Sequence, residues 1–259
     1  MALMSGQLRA RLRWRNPQSL PRVNLILFER AELATPLPRR DSRASHLLGV
    51  LRRQPGDTFD AGVVDGPRGK GTLRAIGPTA LELDFTWGPA PPALEPIVLL
   101  IGLPRPQTAR DILRETTSMG ASAVHFFRAE KSEPGYAGST LWSSGEWRRH
   151  LLTGAAQAFD TRLPEVTHAQ TLATVIATLP SSATRLALDN YESPQPLSAA
   201  GITAPVVLAF GPERGWSAAE RDQLRTQGFV FVHLGPRVLR AETAVIAALA
   251  VIRAKLGSL

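Results

Sequence analysis

Val206-Val-Leu-Ala-Phe-Gly-Pro-Glu-Arg-Gly-Trp-Ser-Ala-Ala-Glu220, followed by His233-Leu-Gly-Pro-Arg-Val-Leu-Arg-Ala-Glu-Thr-Ala244, reads twice as an apolar strand running into a glycine-bearing loop that opens a helix. In open α/β sheets a ligand sits where loops leave the carboxyl ends of strands. Two such loops in close succession therefore predict one composite site. In the first, Gly211-Pro-Glu-Arg-Gly215 predicts a tight turn with a buried carboxylate at Glu213, and Ser217-Ala-Ala-Glu220 is a capping box for the next helix. In the second, residues 234–240 predict a sharply turning chain that exposes backbone groups between apolar side chains, suited to holding a purine ring by main-chain hydrogen bonds. Glu242 and Thr243 then read as the cap of a closing helix. Each loop by itself is also compatible with an ordinary strand-to-helix connection.

Upstream the same rhythm continues. Ile97-Val-Leu-Leu-Ile101 is a continuous apolar strand of the kind buried in parallel sheets. Residues 108–119 predict a helix with Ile112, Leu113 and Thr116 on one face and Gly120 just past its end. Ala123-Val-His-Phe-Phe127 and Arg185-Leu-Ala-Leu188 read as strands, and 146–159, 172–179 and 242–256 as helices. Residues 229–234 give the last strand, while 131–145, rich in Gly, Ser and Pro, reads as a long loop. Alternating strands and helices place residues 97–259 in the α/β class with a mostly parallel sheet. Gly88-Pro-Ala-Pro-Pro-Ala-Leu-Glu-Pro96 is a stiff linker. Before it, short strands within 17–90, punctuated by Gly56, Asp65-Gly66 and Gly77-Pro78, predict a small β-barrel or sandwich. Residues 1–16, with Arg9, Arg11, Arg13 and Arg15, read as a basic tail.

Net charge is +8 over 259 residues, carried almost wholly by arginine, since the only lysines are Lys70, Lys131 and Lys255. The arginine fork suits phosphate, so RNA is a natural partner; a GC-rich genome accounts for the arginine-over-lysine preference equally well. The chain has no cysteine. That fits a cytoplasmic protein and removes Cys nucleophiles, thiolate zinc sites and iron–sulfur clusters. No apolar run has the length of a membrane span. The five histidines lack metal-ligand spacing, so no metal is expected. Ile101-Gly-Leu-Pro-Arg-Pro is not a dinucleotide fingerprint, and a P-loop is absent.

Together the two late motifs carry a resemblance. Phe210-Gly-Pro-Glu-Arg-Gly-Trp-Ser217 and Leu234-Gly-Pro-Arg-Val-Leu-Arg-Ala-Glu-Thr-Ala244 resemble the paired motifs of the RsmE-type RNA methyltransferases of the SPOUT superfamily, which methylate N3 of a uridine in 16S rRNA. Weaker echoes lie at His46–Arg52, Gly56-Asp57, Asp65-Gly66, Met119-Gly120, Ala129-Glu130-Lys131 and Arg162-Leu-Pro164. The resemblance implies an N-terminal PUA-like β-barrel that helps hold RNA, and a C-terminal α/β domain tied in a trefoil knot that binds S-adenosylmethionine. It also implies a homodimer. Carried over by position, Leu103, Phe210, Gly211, Pro212, Glu213, Gly215, Leu234, Gly235, Val238, Leu239, Arg240, Thr243 and Ala244 would line or shape the cofactor site. Arg22, Arg43, Arg52, Arg53, Lys131 and Arg162 are the candidate RNA contacts. The pattern departs at Glu115, Ser118, Asp160 and Arg214, which leaves the particular uridine open.

Without cysteine, methylation through a covalent Cys adduct at pyrimidine C5 is excluded, leaving direct attack by a nitrogen or oxygen. Glu213 and Glu242 are candidate bases for the uridine N3 proton, and Arg237 or Arg240 could stabilise charge on the uracil oxygens. Glu213 also reads as a structural cap, and Arg240 as a holder of backbone carbonyls. Trp142, Trp147 and Trp216 are candidate base-stacking residues, with Trp147 at core spacing and Trp216 the favoured contact. Two rival functions are another SPOUT-type activity (ribose 2′-O or base N1 methylation) and a non-catalytic RNA-binding knot protein.

Overall fold

The apolar runs at 97–101 and 206–210 lie side by side, with Ile97 opposite Val206 and Ile101 opposite Phe210, at the centre of a parallel sheet. The computed structural model describes residues 25–258, so the basic stretch 1–16, Arg22, Val23 and Asn24 fall outside the described residues. In chain order the first part gives β1 (Ile26–Phe28), β2 (Leu37–Pro38), a short helix α1 (Ser42–Ser45) continuing as a π-helical turn (His46–Val50), β3 (Thr58–Val63), β4 (Arg68–Ile76) and β5 (Ala80–Trp87). Then follow β6 (Glu95–Gly102), α2 (Pro106–Ser118), β7 (Ala121–Arg128), α3 (Thr140–Ser143), α4 (Glu146–Gln157) and β8 (Glu165–Thr171). The chain closes with α5 (Leu172–Ile176), β9 (Thr184–Leu188), β10 (Gln195–Pro196), β11 (Val206–Phe210), α6 (Ala218–Thr226), β12 (Val230–His233) and α7 (Ala241–Leu256).

The larger sheet has seven strands in the order β10-β12-β9-β11-β6-β7-β8, every neighbouring pair parallel. Its central strands are buried on both faces, as the continuous apolar runs require. Leu99, Ile101, Leu208 and Phe210 face Ile112 and Leu113 of α2 and Val245 and Leu249 of α7. Leu100, Val207 and Ala209 face Val175 of α5 and Leu224 of α6. Each fully buried Leu or Ile of this set contributes about 1.5–3 kcal/mol of transfer free energy. Gly120, at φ +78, ends α2, and the Ser217–Glu220 capping box starts α6. Among the described residues no helix is long and apolar enough to cross a membrane.

The smaller sheet has five strands in the order β1-β3-β4-β5-β2. It leans on the segment that leaves α4: Thr161 Oγ1 donates to Gly66 O at 2.5 Å, Asp65 N to Thr161 O at 2.8 Å, and Arg68 to Phe159 O at 2.7 Å. A Cβ on Gly62 would come within 2.5 Å of Thr161 Cγ2. Leu25, Leu27 and Ala155 close the seam with an apolar patch.

Several expectations are corrected. Residues 131–145 are not a plain loop: a 3-10 turn (Pro134–Gly138) and α3 bury Leu141 and Trp142. Trp142 stacks on His168 with ring centres 4.7 Å apart, so it is a packing residue and not a base contact. β8 was not legible because it is half-buried between exposed ends and shows no period-2 alternation; its pairing with β7 slips after Phe126. Arg43, a candidate RNA contact, is engaged within the fold. Its guanidinium bonds Glu32 Oε1 at 2.7 Å, Asp41 Oδ2 at 2.8 Å and Leu27 O at 3.0 Å, and lies over the Phe28 ring.

That cluster sets an acid limit. Hydrogen bonds from Arg43 hold the Glu32 and Asp41 carboxyls below the ordinary carboxylate range. Depressed carboxyls stabilise the fold above their unfolded pKa values, and that contribution is lost as pH falls through the folded ones. Arg43→Met is expected to cost about 1–2 kcal/mol near neutral pH, small because solvent screens the pairs. It should also flatten the decline in melting temperature below about pH 4. Thermal melts of both proteins across acid pH check this.

Candidate functional site

Three adjacent strands, β12, β9 and β11, end at one level, because Leu188 pairs with both Phe210 and Val232. The loops leaving them enclose a cavity of about 400 Å³, within the range of roughly 300–1,000 Å³ typical of small-molecule sites. One wall is Leu188, Asp189, Asn190 and Tyr191; a second is the 210–216 turn. The third comprises Leu234, Arg237, Val238, Leu239, Ala241 and Ala244. Apolar side chains thus alternate with turning backbone, a lining suited to a flat heteroaromatic ring held by main-chain groups.

Close packing fixes the second wall. A Cβ on Gly102 would stand 2.6 Å from Pro212 N and 3.1 Å from Gly211 C, so only glycine lets the turn rest on the end of β6. Gly215, at φ +72, closes the turn, its N–H donating to Pro212 O at 2.7 Å. Trp216 then drops into the core, stacked on Phe127 at an interplanar angle of 8°, with Nε1 donating to Leu188 O at 2.9 Å. Its carbonyl accepts from Lys131 Nζ at 2.8 Å and from Arg221 at 3.2 Å. Buried Glu220 bonds Ser217 N at 2.9 Å and Glu130 N at 3.0 Å, tying the loop after β7 to α6. In the first wall, Asp189 Oδ2 accepts from Arg221 Nε at 2.5 Å.

The sequence-expected residues divide clearly. Phe210, Gly211, Pro212, Glu213, Gly215, Leu234, Val238, Leu239, Ala244 and Arg237 all stand on the cavity wall. Leu103, Gly235, Arg240 and Thr243 do not. Leu103 is buried in the core, its carbonyl accepting from Ser132 Oγ at 2.9 Å. Gly235 turns the chain at φ +105, its N–H donating to His233 Nδ1 at 3.0 Å. Arg240 is the N-cap residue of α7, which has no side-chain cap, so Glu242 and Thr243 do not cap it as expected. Glu242 likewise lies off the wall. Glu213 is not buried: its carboxylate is 37% exposed, 3.6 Å from Arg105 Nε and 3.5 Å from Thr108 Oγ1 at the start of α2. Trp216, favoured as a base contact, is 2% exposed and packs as core.

Of the candidate RNA contacts, Lys131 is engaged with Trp216 O and Arg162 donates to Pro91 O at 3.3 Å. Arg53 is half-buried, whereas Arg52 is exposed at φ +52. The first wall was missed. Its signal was available, since Asp189-Asn-Tyr191 follows the apolar strand 185–188 just as the two glycine turns follow theirs.

Known proteins match the chain along its length. A family model described as an RNA methyltransferase domain matches residues 91–253. The ribosomal RNA small subunit methyltransferase E of Treponema pallidum is 34% identical over 242 residues, covering 90% of this chain and 91% of that protein. The ribosomal RNA small subunit methyltransferase E 1 of Borreliella burgdorferi is 28% identical over 246 residues, covering 90% and 99%. Among solved structures, the ribosomal RNA small subunit methyltransferase E of Neisseria gonorrhoeae bound to S-adenosyl methionine superposes with a TM-score of 0.73 at 21% identity, covering 89% of this chain and 98% of that one. At that identity the superposition speaks to the fold.

The Gly102 contact yields a prediction. Gly102→Ala drives a Cβ into the backbone of the 211–212 turn, and overpacking of this kind costs about 1–3 kcal/mol. Urea denaturation is expected to show that loss with an unchanged far-UV spectrum; wild-type stability would show that the turn does not rest on β6.

Proposed function

The chain belongs to the RNA methyltransferase family, and from that membership we propose that it transfers a methyl group from S-adenosylmethionine to N3 of a uridine in 16S rRNA of the small ribosomal subunit. The observation that carries this reading is the joining of the two glycine turns, with the loop after β9, around one cavity of about 400 Å³ at the carboxyl edge of a parallel sheet. The lining fits the cofactor. Leu234, Val238, Leu239 and Ala244 offer an apolar bed for an adenine ring, and the 211–216 and 234–240 backbones offer amides and carbonyls at its edge. S-adenosylmethionine, when bound, supplies an electrophilic methyl group on a sulfonium.

The remaining work falls to the chain. Glu213, on the cavity wall and exposed enough to meet a substrate, accepts the uridine N3 proton. Arg105 and Thr108 keep that carboxylate from drifting. Arg237, exposed on the third wall, offsets the charge that develops on the uracil oxygens. Arg240 and Glu242, off the wall, shape the entry to α7 rather than touch the base. Because N3 lies on the Watson–Crick edge, the target base reaches the cavity unpaired and flipped out.

The same proposal covers architecture. Of the unit expected at 17–90, the described residues from 25 onward form a PUA-like barrel that holds RNA, and 97–258 form the SPOUT domain. A trefoil-knotted crossing belongs to the same reading, with α7 returning from β12 to pack beside α2. A homodimer is supported by apolar residues such as Ile246, Ala247 and Ala250, which stay half-exposed on α7. The enzyme works in the cytoplasm, in keeping with a chain that has no cysteine.

Mapping methyl groups on 16S rRNA from a deletion strain is the direct test: one N3-methyluridine should vanish and return on complementation. An unchanged map would sink the reading. Glu213→Gln is expected to lower kcat by about 10²–10⁴, the usual worth of a general base, while calorimetry with S-adenosylmethionine gives a Kd close to wild type.

A further inference from the structure

Tyr191 is 81% exposed although it lines the cavity, whereas Trp216 on the same cavity is 2% exposed. The turn that carries this ring is firmly held. Tyr191 N donates to Asp189 Oδ1 at 2.7 Å, Ser193 Oγ to Asp189 O at 2.5 Å, and Arg221 Nε to Asp189 Oδ2 at 2.5 Å. The Asp189 and Arg221 side chains are 2% and 13% exposed, so the pair is shielded from competing water. Arg221 also donates to Trp216 O at 3.2 Å, so one guanidinium ties the Tyr191 turn to the 210–216 wall. Glu192 adds a second carboxylate 3.5 Å from Arg221.

What surrounds the ring points to its ligand. Arg214 and Arg237 line the same cavity, are exposed, and make no ion pair among the described residues. A cavity that presents an exposed aromatic face together with two guanidinium groups takes an unstacked nucleobase with its phosphates. A cofactor's adenine is better served by the half-buried apolar wall formed by Leu234, Leu239 and Ala244. We propose that Tyr191 is the stacking platform for the RNA nucleobase delivered to this cavity, and that Asp189 and Arg221 are positioning residues that hold it at the mouth. The assignment rests on the methyl-transfer reading of the cavity.

The test uses the full chain, a uridine-containing single-stranded RNA oligonucleotide followed by fluorescence anisotropy, and S-adenosylmethionine followed by calorimetry. Tyr191→Ala is expected to weaken RNA binding roughly ten- to hundredfold, the size of one base–aromatic stack, and Tyr191→Phe to stay within about twofold. Both should keep the wild-type melting temperature, because the ring touches solvent, and the wild-type affinity for S-adenosylmethionine. Asp189→Asn is expected to raise KM for RNA by a larger factor than it lowers kcat, and combining it with Tyr191→Ala should add little further loss of RNA affinity, as for a residue that acts through the ring. Unchanged RNA affinity in Tyr191→Ala overturns the proposal, and so does an equal loss of affinity for S-adenosylmethionine, which would assign the ring to the cofactor. Failure of the wild type to bind S-adenosylmethionine would remove the methyl-transfer reading alone; the RNA comparison would still read the stack.

Discussion

The indole of Trp216 sets the geometry on which the cavity depends. Its ring is stacked on Phe127 of β7, its N–H reaches the carbonyl of Leu188 at the end of β9, and its own carbonyl gathers Lys131 and Arg221. A side chain of this size, buried and hydrogen-bonded, fixes the turn after β11 relative to two other strands at once. The Gly102–Pro212 contact fixes it relative to β6 as well. Loops are ordinarily the mobile part of a fold; here the one after β11 is seated like core, and Arg221 ties the loop after β9 to it.

The distribution of charge follows from the same packing. Many arginines that look available for RNA are spent internally: Arg43 on Glu32 and Asp41, Arg110 on Glu146, Arg148 on Glu29, Arg221 on Asp189, and Arg225 on Glu192. Such pairs give orientation more than net stability. Among the described residues, what remains positive on the cavity wall is Arg214 and Arg237, with Arg240 close by in sequence. A net charge of +8 is therefore a poor guide to where RNA touches this protein, although it is a fair guide to the sign of its partner.

The contact between the two sheets is of another kind. It combines hydrogen bonds between 65–68 and 159–163 with a small apolar patch around Leu25, Leu27 and Ala155, and it depends on Gly62 leaving room for Thr161. The smaller sheet is thereby held against α4, while its main core stays separate from that of the larger sheet.

The sequence by itself determined the parallel sheet, the two glycine turns and the cap of α6, because each rests on local patterning: apolar runs of strand length, glycine after a strand, Ser and Glu three apart. It also determined most of the cavity wall, since residues following a strand must lie at its carboxyl edge. Only the tertiary structure decided that Asp189, Asn190 and Tyr191 complete that wall, because which strand ends are neighbours is a property of strand order and not of any one segment. It likewise decided that Trp216 is core while Tyr191 faces solvent, and that Glu213 is open and Arg43 closed. Burial is set by what arrives from far along the chain, and no local pattern carries that information.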